Sequence, residues 1–178
     1  MKQLLLFFMF LLTSFDVLTQ VCPGIAGPII YLEDFGSGPN PGPELPPGVT
    51  TYAFGLGGGG LYYVTNDSGQ NGTLWHGAED HTPGDTDGYM LLFDASAAAG
   101  TFFEIELEDL CPNSQYVFSC FAANIVVPTA CGNGGIRPHL RFTIINPDNS
   151  VDLASVTSGE IPVTNELEWV EVGVQILL

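Results

Sequence analysis

The sequence predicts an all-β fold, an antiparallel β-sandwich, and three observations support that prediction. Apolar residues alternate with polar ones or form short apolar runs, and both patterns are typical of strands. Gly, Pro and Asn separate these runs, and the chain of 178 residues contains 22 Gly and 13 Pro. Beyond the N-terminal apolar segment, no long stretch shows the periodicity of an amphipathic helix. A chain of this length is expected to form one domain.

The strand candidates follow one another at short spacing along the chain. They are 29–35, 50–54, 61–65, 89–93, 101–110, 116–125, 140–145 and 169–177. Segment 36–48, after the first candidate, is too rich in Pro and Gly for a helix and is expected to be a surface loop. Segment 101–110 has the strictest alternation, because Phe103, Ile105 and Leu107 fall on one face and glutamates on the other.

The N-terminus has the pattern of a secretory signal peptide. Lys2 supplies a positive charge, and 4–12 is an unbroken apolar run that is too short to span a bilayer. We expect cleavage near Thr19, so that residues 1–19 are the signal peptide and residues 20–178 the mature domain. No second candidate for a membrane span follows in the sequence. The protein is therefore predicted to be secreted or held at the cell surface.

The charge balance restricts the partners of the chain. It has 3 Lys+Arg against 20 Asp+Glu, a formal net charge of -17. So few cations cannot neutralise a row of phosphates, which excludes nucleic acid and anionic membrane surfaces as partners. Cationic ligands, metal ions and neutral sugars remain. The 12 Phe and 6 Tyr argue against intrinsic disorder, because disordered acidic chains are poor in aromatic residues.

The four cysteines are Cys22, Cys111, Cys120 and Cys131. In an oxidising space outside the cell we expect them to form two disulfides, in any of three pairings that the sequence does not distinguish. Cys120 lies in an alternating strand pattern, and Cys111 or Cys131 is a candidate partner across a turn. A zinc site is the rival hypothesis, and it is disfavoured because the chain contains no Cys-x-x-Cys pair.

The residues able to carry chemistry are concentrated in one loop, 75–88. It contains four acids, two His and Trp75. Oxygen ligands at this density suit Ca²⁺, and like charges gathered without cations are tolerated best around a bound cation. We therefore predict a structural Ca²⁺ site, which the first strand joins if it lies beside the loop. The candidate ligands are Glu33, Asp34, Asp80, Asp85 and Asp87. The alternative is an exposed acidic loop with no ligand.

Three short motifs follow one another in and after this loop. Asp80-His81-Thr82 is followed by Gly88-Tyr89-Met90 and then by Asp94-Ala95-Ser96. This order resembles the central signature of MAM-type jelly-roll domains in extracellular adhesion and receptor proteins. The resemblance implies a jelly roll with a metal held between the first strand, the Asp-His-Thr loop and an acid in a late strand.

A jelly-roll module in large secreted surface proteins of gliding bacteria is a closer match. Its segments in the expected order are 33–38 and 110–118, and the resemblance spans residues 29–172. That family usually continues past Trp169 with further strands. The resemblance therefore implies a domain that is incomplete at its C-terminal end, with an incomplete metal site.

The leading functional hypothesis is a noncatalytic extracellular binding or adhesion module, carbohydrate-binding and stabilised by calcium. Its partner is an extracellular glycan or a surface protein. Aromatic faces stack on sugar rings, and cationic or imidazole side chains add hydrogen bonds. The candidate ligand-binding residues are Trp75, His81, Arg137 and His139. Tyr62, Tyr63 and Tyr89 are further stacking candidates with core packing as the alternative, and ion pairing is the alternative for Arg137 and Arg141.

Two other hypotheses remain open. One is a structural spacer module in a surface assembly, with no small ligand. The other is a jelly-roll β-glycanase that uses Glu104 and Glu108, which would lie about 13 Å apart at Cα on one strand face with Glu106 between them. A solvated sheet face in an acidic protein is the favoured interpretation of these three glutamates, so we predict that the protein is not an enzyme.

Overall fold

We describe the protein from a computed structural model. The structure describes residues 29–69, 73–132, 135–148 and 150–178, so the predicted signal peptide and Cys22 lie outside it. The strands are β1 (Ala53–Phe54), β2 (Leu61–Thr65), β3 (Met90–Asp94), β4 (Gln115–Ala123), β5 (His139–Asn146), β6 (Val151–Glu160) and β7 (Trp169–Leu177). The described residues contain no α-helix and a short 3₁₀ turn, Ala130–Gly132. The all-β prediction is confirmed.

The strands form three sheets. The first has the order β1-β2-β3, with β2 and β3 antiparallel from Leu61↔Asp94 to Thr65↔Met90 and β1 parallel to β2. The second pairs β4 with β7, antiparallel along the full length of both strands. The third is the antiparallel β5–β6 pair, which contains two register shifts and lies beside β7. Several antiparallel sheets of this kind are consistent with a β-sandwich.

The core of the first sheet is built from aromatic rings. Tyr62 is 2% exposed and, with Val64 and Tyr89, forms the buried centre. The Tyr62 hydroxyl accepts a hydrogen bond from the Leu45 amide at 2.8 Å, and the Tyr89 hydroxyl donates to the Pro39 carbonyl at 2.8 Å. Each buried hydroxyl therefore has a partner, as burial requires. Tyr62 and Tyr89 are core residues, not exposed platforms for a sugar.

The β4–β7 pair has one buried and one exposed face, because side chains alternate along a strand. Val172 and Ile176 are buried on the inner face. On the outer face Val117 is 70% exposed, Phe121 49% and Leu177 74%. We call this second surface, formed by alternate residues of β4 and β7, the outer face.

The predicted first strand, 29–35, is wrong. The segment is irregular, and the nearest pairing is an isolated bridge between Ser37 and Gly88. Two backbone hydrogen bonds flank this bridge. The Tyr89 amide donates to the Gly36 carbonyl at 2.8 Å, and the Gly38 amide donates to the Asp87 carbonyl at 3.1 Å. Phe35 and Gly36 both have positive φ, at 60° and 76°, which turns the chain away from an extended ladder.

The predicted strand at 101–110 is also wrong. The segment is irregular, and two backbone hydrogen bonds attach its start to 49–51: the Thr101 carbonyl accepts from the Thr51 amide, and the Glu104 amide donates to the Val49 carbonyl. An alternating pattern indicates which side chains are shielded from solvent. In this segment the shielding of Phe103 comes from packing against an irregular part of the chain. Phe103 meets Phe35 edge to face, with ring centroids 5.5 Å apart. Phe103 is therefore half-buried by side-chain packing without a sheet ladder, whereas Ile105 of the same alternating face is 38% exposed.

Strand β6 was not predicted from the sequence. Its residues Val151–Glu160 are mostly small or polar and include Gly159, so they lack a clear apolar alternation. Pairing with β5 accounts for the strand, from Asn146↔Val151 to His139↔Glu160. The prediction of 50–54 as a strand holds only for Ala53–Phe54.

The prediction of two disulfides among the four cysteines is wrong. Cys111 is disulfide-bonded, whereas Cys120 and Cys131 are free thiols. Cys120 lies in the middle of β4, where its cross-strand partner is Val172, and Cys131 belongs to the 3₁₀ turn beyond the end of that strand. The partner of Cys111 is therefore outside the described residues. In the part of the chain described, no helix is long and apolar enough to cross a membrane.

Replacement of Tyr62 tests the buried hydroxyl of the core. Tyr62→Phe keeps the ring and leaves the Leu45 amide without its acceptor, so we expect the free energy of unfolding to fall by about 1–3 kcal/mol. Tyr63→Phe is the matched control, because the Tyr63 hydroxyl has no hydrogen bond among the described residues, and it should change stability by less than about 0.5 kcal/mol. Urea unfolding measures both, and equal losses would contradict the role of the Tyr62 hydroxyl.

Candidate functional site

An acid-lined groove of about 530 Å³ lies beside the bridge between Ser37 and Gly88. Three chain segments meet there: the turn after β2, the acidic loop, and the chain that leads into β3. The lining residues are Asn66, Asp67, Gly77, Ala78, Glu79, Asp80, Asp85, Asp87 and Gly88. We call this surface the acidic groove.

Ser68 joins two of the groove segments. It is 0% exposed, and its amide donates to the Ala78 carbonyl at 3.0 Å. Its hydroxyl donates to the His76 carbonyl at 2.6 Å and accepts from the Ala78 amide at 2.9 Å. Gly69 and Gly77 pass so closely that a Cβ on Gly69 would lie 3.2 Å from the Gly77 Cα. The Ser68 hydroxyl, one backbone hydrogen bond and this close glycine contact therefore hold two of the groove segments together without a sheet ladder.

Asp85 is the electrostatic centre of the groove. Its Oδ1 atom is buried and has no hydrogen-bond partner in the described structure. The carboxylate lies against Gly88, where a Cβ would come within 2.5 Å of both its oxygens. Desolvation raises the pKa of Asp85, and the nearby charges of Asp80, Asp34 and Asp87 raise it further. Four of the five predicted metal ligands are therefore electrostatic neighbours.

Two of these aspartates also shape the turns that carry them. Asp34 Oδ1 accepts a hydrogen bond from the Gly36 amide at 2.9 Å, and Asp80 Oδ2 accepts from the Thr82 amide at 2.8 Å. Such bonds two residues along the chain are typical of Asx turns. Glu33 is used differently, because its two carboxylate oxygens accept from the Tyr31 hydroxyl at 2.7 Å and the Phe35 amide at 3.0 Å.

The donor chemistry of the acidic groove fits a hard cation. Carboxylate, amide and carbonyl oxygens are the ligands that Ca²⁺ takes, in numbers of six to eight and in flexible geometry. Within the described ranges no three His, Cys, Asp or Glu side chains already stand together as a metal cage. Ca²⁺ would have to draw these carboxylates inward, and the buried Oδ1 of Asp85 is the oxygen that most needs a positive partner.

The predicted ligand-binding residues lie in separate places. Trp75 forms an isolated bridge with Val126 and is not among the exposed apolar side chains. The His81 ring stacks on Trp169, with ring centroids 5.3 Å apart and an angle of 19° between the ring planes. It also contacts Phe121 edge to face, with centroids 4.4 Å apart. His81 therefore connects the acidic loop to the outer face.

The two arginines are engaged with acids on the β5–β6 pair. Arg137 Nη1 lies 3.4 Å from Glu160 Oε2, and Arg141 Nη2 lies 3.1 Å from Asp152 Oδ2, all exposed. The ion-pair alternative is confirmed for both. His139 is exposed and stands opposite Glu160 across the strands. Neither Arg137 nor His139 makes a hydrogen bond, ion pair or ring contact with Trp75 or His81 in the described structure.

Sequence reasoning missed several residues that these surfaces use. Asn66 and Asp67 line the acidic groove, and the polar turn directly after β2 was the available signal. Phe121 and Trp169 come from strands far apart in the sequence, so no local pattern could place them beside His81. Glu104 and Glu108 are exposed on the irregular segment and are not groove residues.

Comparison of the chain with protein-family models, with curated proteins and with solved structures finds no match. The chemistry of the acidic groove and of the outer face therefore has to indicate the function.

Removal of the Ser68 hydroxyl tests how the groove is held. Ser68→Ala leaves the His76 carbonyl and the Ala78 amide without their buried partner, so we expect a loss of about 1–3 kcal/mol in the free energy of unfolding. Ser96→Ala is the control, because that hydroxyl makes one exposed hydrogen bond, to the Ala98 carbonyl. It should cost less than about 0.5 kcal/mol. Urea unfolding in EDTA distinguishes the two, and an unaffected Ser68→Ala would contradict the role of that hydroxyl.

The raised pKa of Asp85 predicts a pH dependence with a defined sign. Ionised Asp85 destabilises the folded chain, so its cost is absent below the ordinary aspartate value of 3.8 and grows as the pH rises through the raised folded pKa. In EDTA, Asp85→Asn should therefore be more stable than the wild type at neutral pH, and the difference should shrink on acidification. Asp148→Asn, an exposed aspartate outside the groove, is the control. A constant difference across pH would contradict the prediction.

Proposed function

We propose that the protein is a noncatalytic extracellular module for binding or adhesion, of jelly-roll type and stabilised by Ca²⁺ in the acidic groove. The observation that carries this proposal is the buried Oδ1 of Asp85, which lacks a hydrogen-bond partner beside three further aspartates. A buried carboxylate oxygen without a donor is costly unless a cation or a proton satisfies it. At neutral pH a divalent cation serves that purpose for the whole cluster.

The position of the groove supports a structural role for the ion. Asp34 belongs to the segment that pairs near Ser37, Asp80 to the acidic loop, and Asp87 to the chain that enters β3. A cation held among them would fasten three segments that are joined by few backbone hydrogen bonds. The resemblance of the Asp80-His81-Thr82 motif to MAM-type domains also favours a metal at this place.

Two features support a binding module over an enzyme. Glu104 and Glu108 lie on an exposed irregular segment, which supplies no rigid pair of facing carboxylates for glycoside hydrolysis. The outer face, by contrast, presents an exposed aromatic ring beside the acidic loop. Secretion or surface display follows from the leader pattern, and the expected partner is a glycan or a surface protein.

Thermal unfolding with and without Ca²⁺ tests the proposal. Ca²⁺ at about 100 times its Kd should stabilise the wild type by about 2.7 kcal/mol, which is a rise of roughly 5–10 °C in Tm over EDTA. Asp85→Asn should have the higher Tm of the two proteins in EDTA and should not respond to Ca²⁺. Asp148→Asn removes the same charge outside the groove and should respond like the wild type.

An equal Tm in EDTA and Ca²⁺ for the wild type would overturn the calcium part of the proposal. Hydrolysis of a β-glucan by the purified protein, lost in Glu104→Gln, would overturn the noncatalytic part. The two assays are independent, so each part stands or fails separately.

A further inference from the structure

The outer face of the β4–β7 pair has a composition that the proposed function leaves unexplained. Cross-strand pairs place Val117 opposite Gln175, Ser119 opposite Gly173, and Phe121 opposite Glu171. All six residues are exposed. At a rise of about 3.4 Å per residue, the Phe121 row and the Val117 row are separated by about 13 Å. The result is a strip of open sheet surface that mixes apolar and polar side chains. The six residues share one face.

The side chains in the middle of the strip are small, and those at its two ends are larger. Ser119 and Gly173 form the middle, and a Cβ on Gly173 would lie 2.8 Å from the Ser119 Cβ. Only glycine fits there without displacing its neighbour. Val117 stands at one end and Phe121 at the other, where the His81 ring lies against Phe121 and stacks on Trp169. The strip is therefore a shallow channel with an aromatic wall at one end.

We propose that this channel binds a neutral glycan chain, with Phe121 stacking against a sugar ring and with Gln175, Glu171 and Ser119 hydrogen-bonded to its hydroxyls. The inference rests on the proposed function and gives that function a ligand class and a surface. Sugar rings combine an apolar face of C–H groups with a rim of hydroxyls, and the channel offers a partner to each. Phe121 keeps 49% of its surface exposed, so a ring can reach it.

Charge excludes the main competing occupants. The channel contains one carboxylate, Glu171, and no Lys or Arg, so an anionic polymer or an acidic peptide has no counter-charge there. A second copy of the chain would bring a formal net charge of -17 against the same charge. A neutral, hydroxyl-rich ligand meets neither obstacle.

The test uses an array of neutral and uronic-acid oligosaccharides in Ca²⁺, followed by calorimetric titration of the best neutral binder. Phe121→Ala should raise its Kd about tenfold, as loss of an aromatic contact implies. Gln175→Ala, at an exposed position where folding is not threatened, should raise it several-fold. Leu56→Ala removes an exposed apolar side chain outside the channel and should leave Kd unchanged.

Each other result has a defined meaning. The proposal is contradicted if no neutral sugar on the array binds. It is also contradicted if binding is unchanged in both channel variants and is lost in Trp75→Ala. A preference for uronic acids would contradict it too. So would sedimentation that shows a dimer of the wild type and a monomer of Phe121→Ala. The Ca²⁺-induced rise in Tm is recorded for every variant. If that rise persists while glycan binding fails, the channel is wrong and the calcium-stabilised module is not.

Discussion

Repulsion among carboxylates in the acidic groove is the constraint on which the site depends. Asp80, Asp85 and Asp87 line the groove, and Asp34 lies close enough for its charge to act on Asp85. Among the residues that the structure describes, the only Lys or Arg side chains are Arg137 and Arg141, and both are paired with acids on the β5–β6 hairpin. Ser68 nevertheless joins two segments of the groove by buried hydrogen bonds, and Gly88 leaves room for the Asp85 carboxylate beside it. The fold imposes the repulsion, and relief has to come from a cation or a proton in solution.

The strands that the sequence predicts best are those whose pattern and pairing agree. Segments 61–65 and 169–177 have the predicted bounds, because each combines β-branched or aromatic residues with a partner along its whole length. Segment 101–110 alternates more strictly than either, yet it is irregular, and its two phenylalanines are half-buried through ring contacts with Phe35, Tyr52 and Phe93. Segment 151–160 is the opposite case. Its composition does not predict a strand, and it forms one because it pairs with β5. Periodicity reports which side chains are buried, and pairing is a property of the fold.

The same distinction applies to the site. The density of acids in one loop indicates where the groove lies, since Asp80, Asp85 and Asp87 of that loop line it. It could not separate Asp34 from Glu33, because only the folded chain shows that the charge of Asp34 acts on Asp85 and that both carboxylate oxygens of Glu33 accept local hydrogen bonds. Nor could it relate His81 to Trp169, which are separated by most of the chain and meet through tertiary packing alone.

Asp80 and His81 are adjacent in the chain, and they belong to different surfaces. Asp80 contributes charge to the groove around Asp85, whereas the His81 ring rests on Trp169 and Phe121 at the end of the outer face. Any ligand that fixes Asp80 also limits the freedom of the next residue, because two soft dihedrals separate them. Under the proposed function, a cation that orders Asp80 would therefore also restrict the His81 ring, which lies against Phe121. The proposed ion site and the proposed ligand surface share this loop, so coupling between them would need no long-range transmission, because a single peptide bond joins Asp80 to His81.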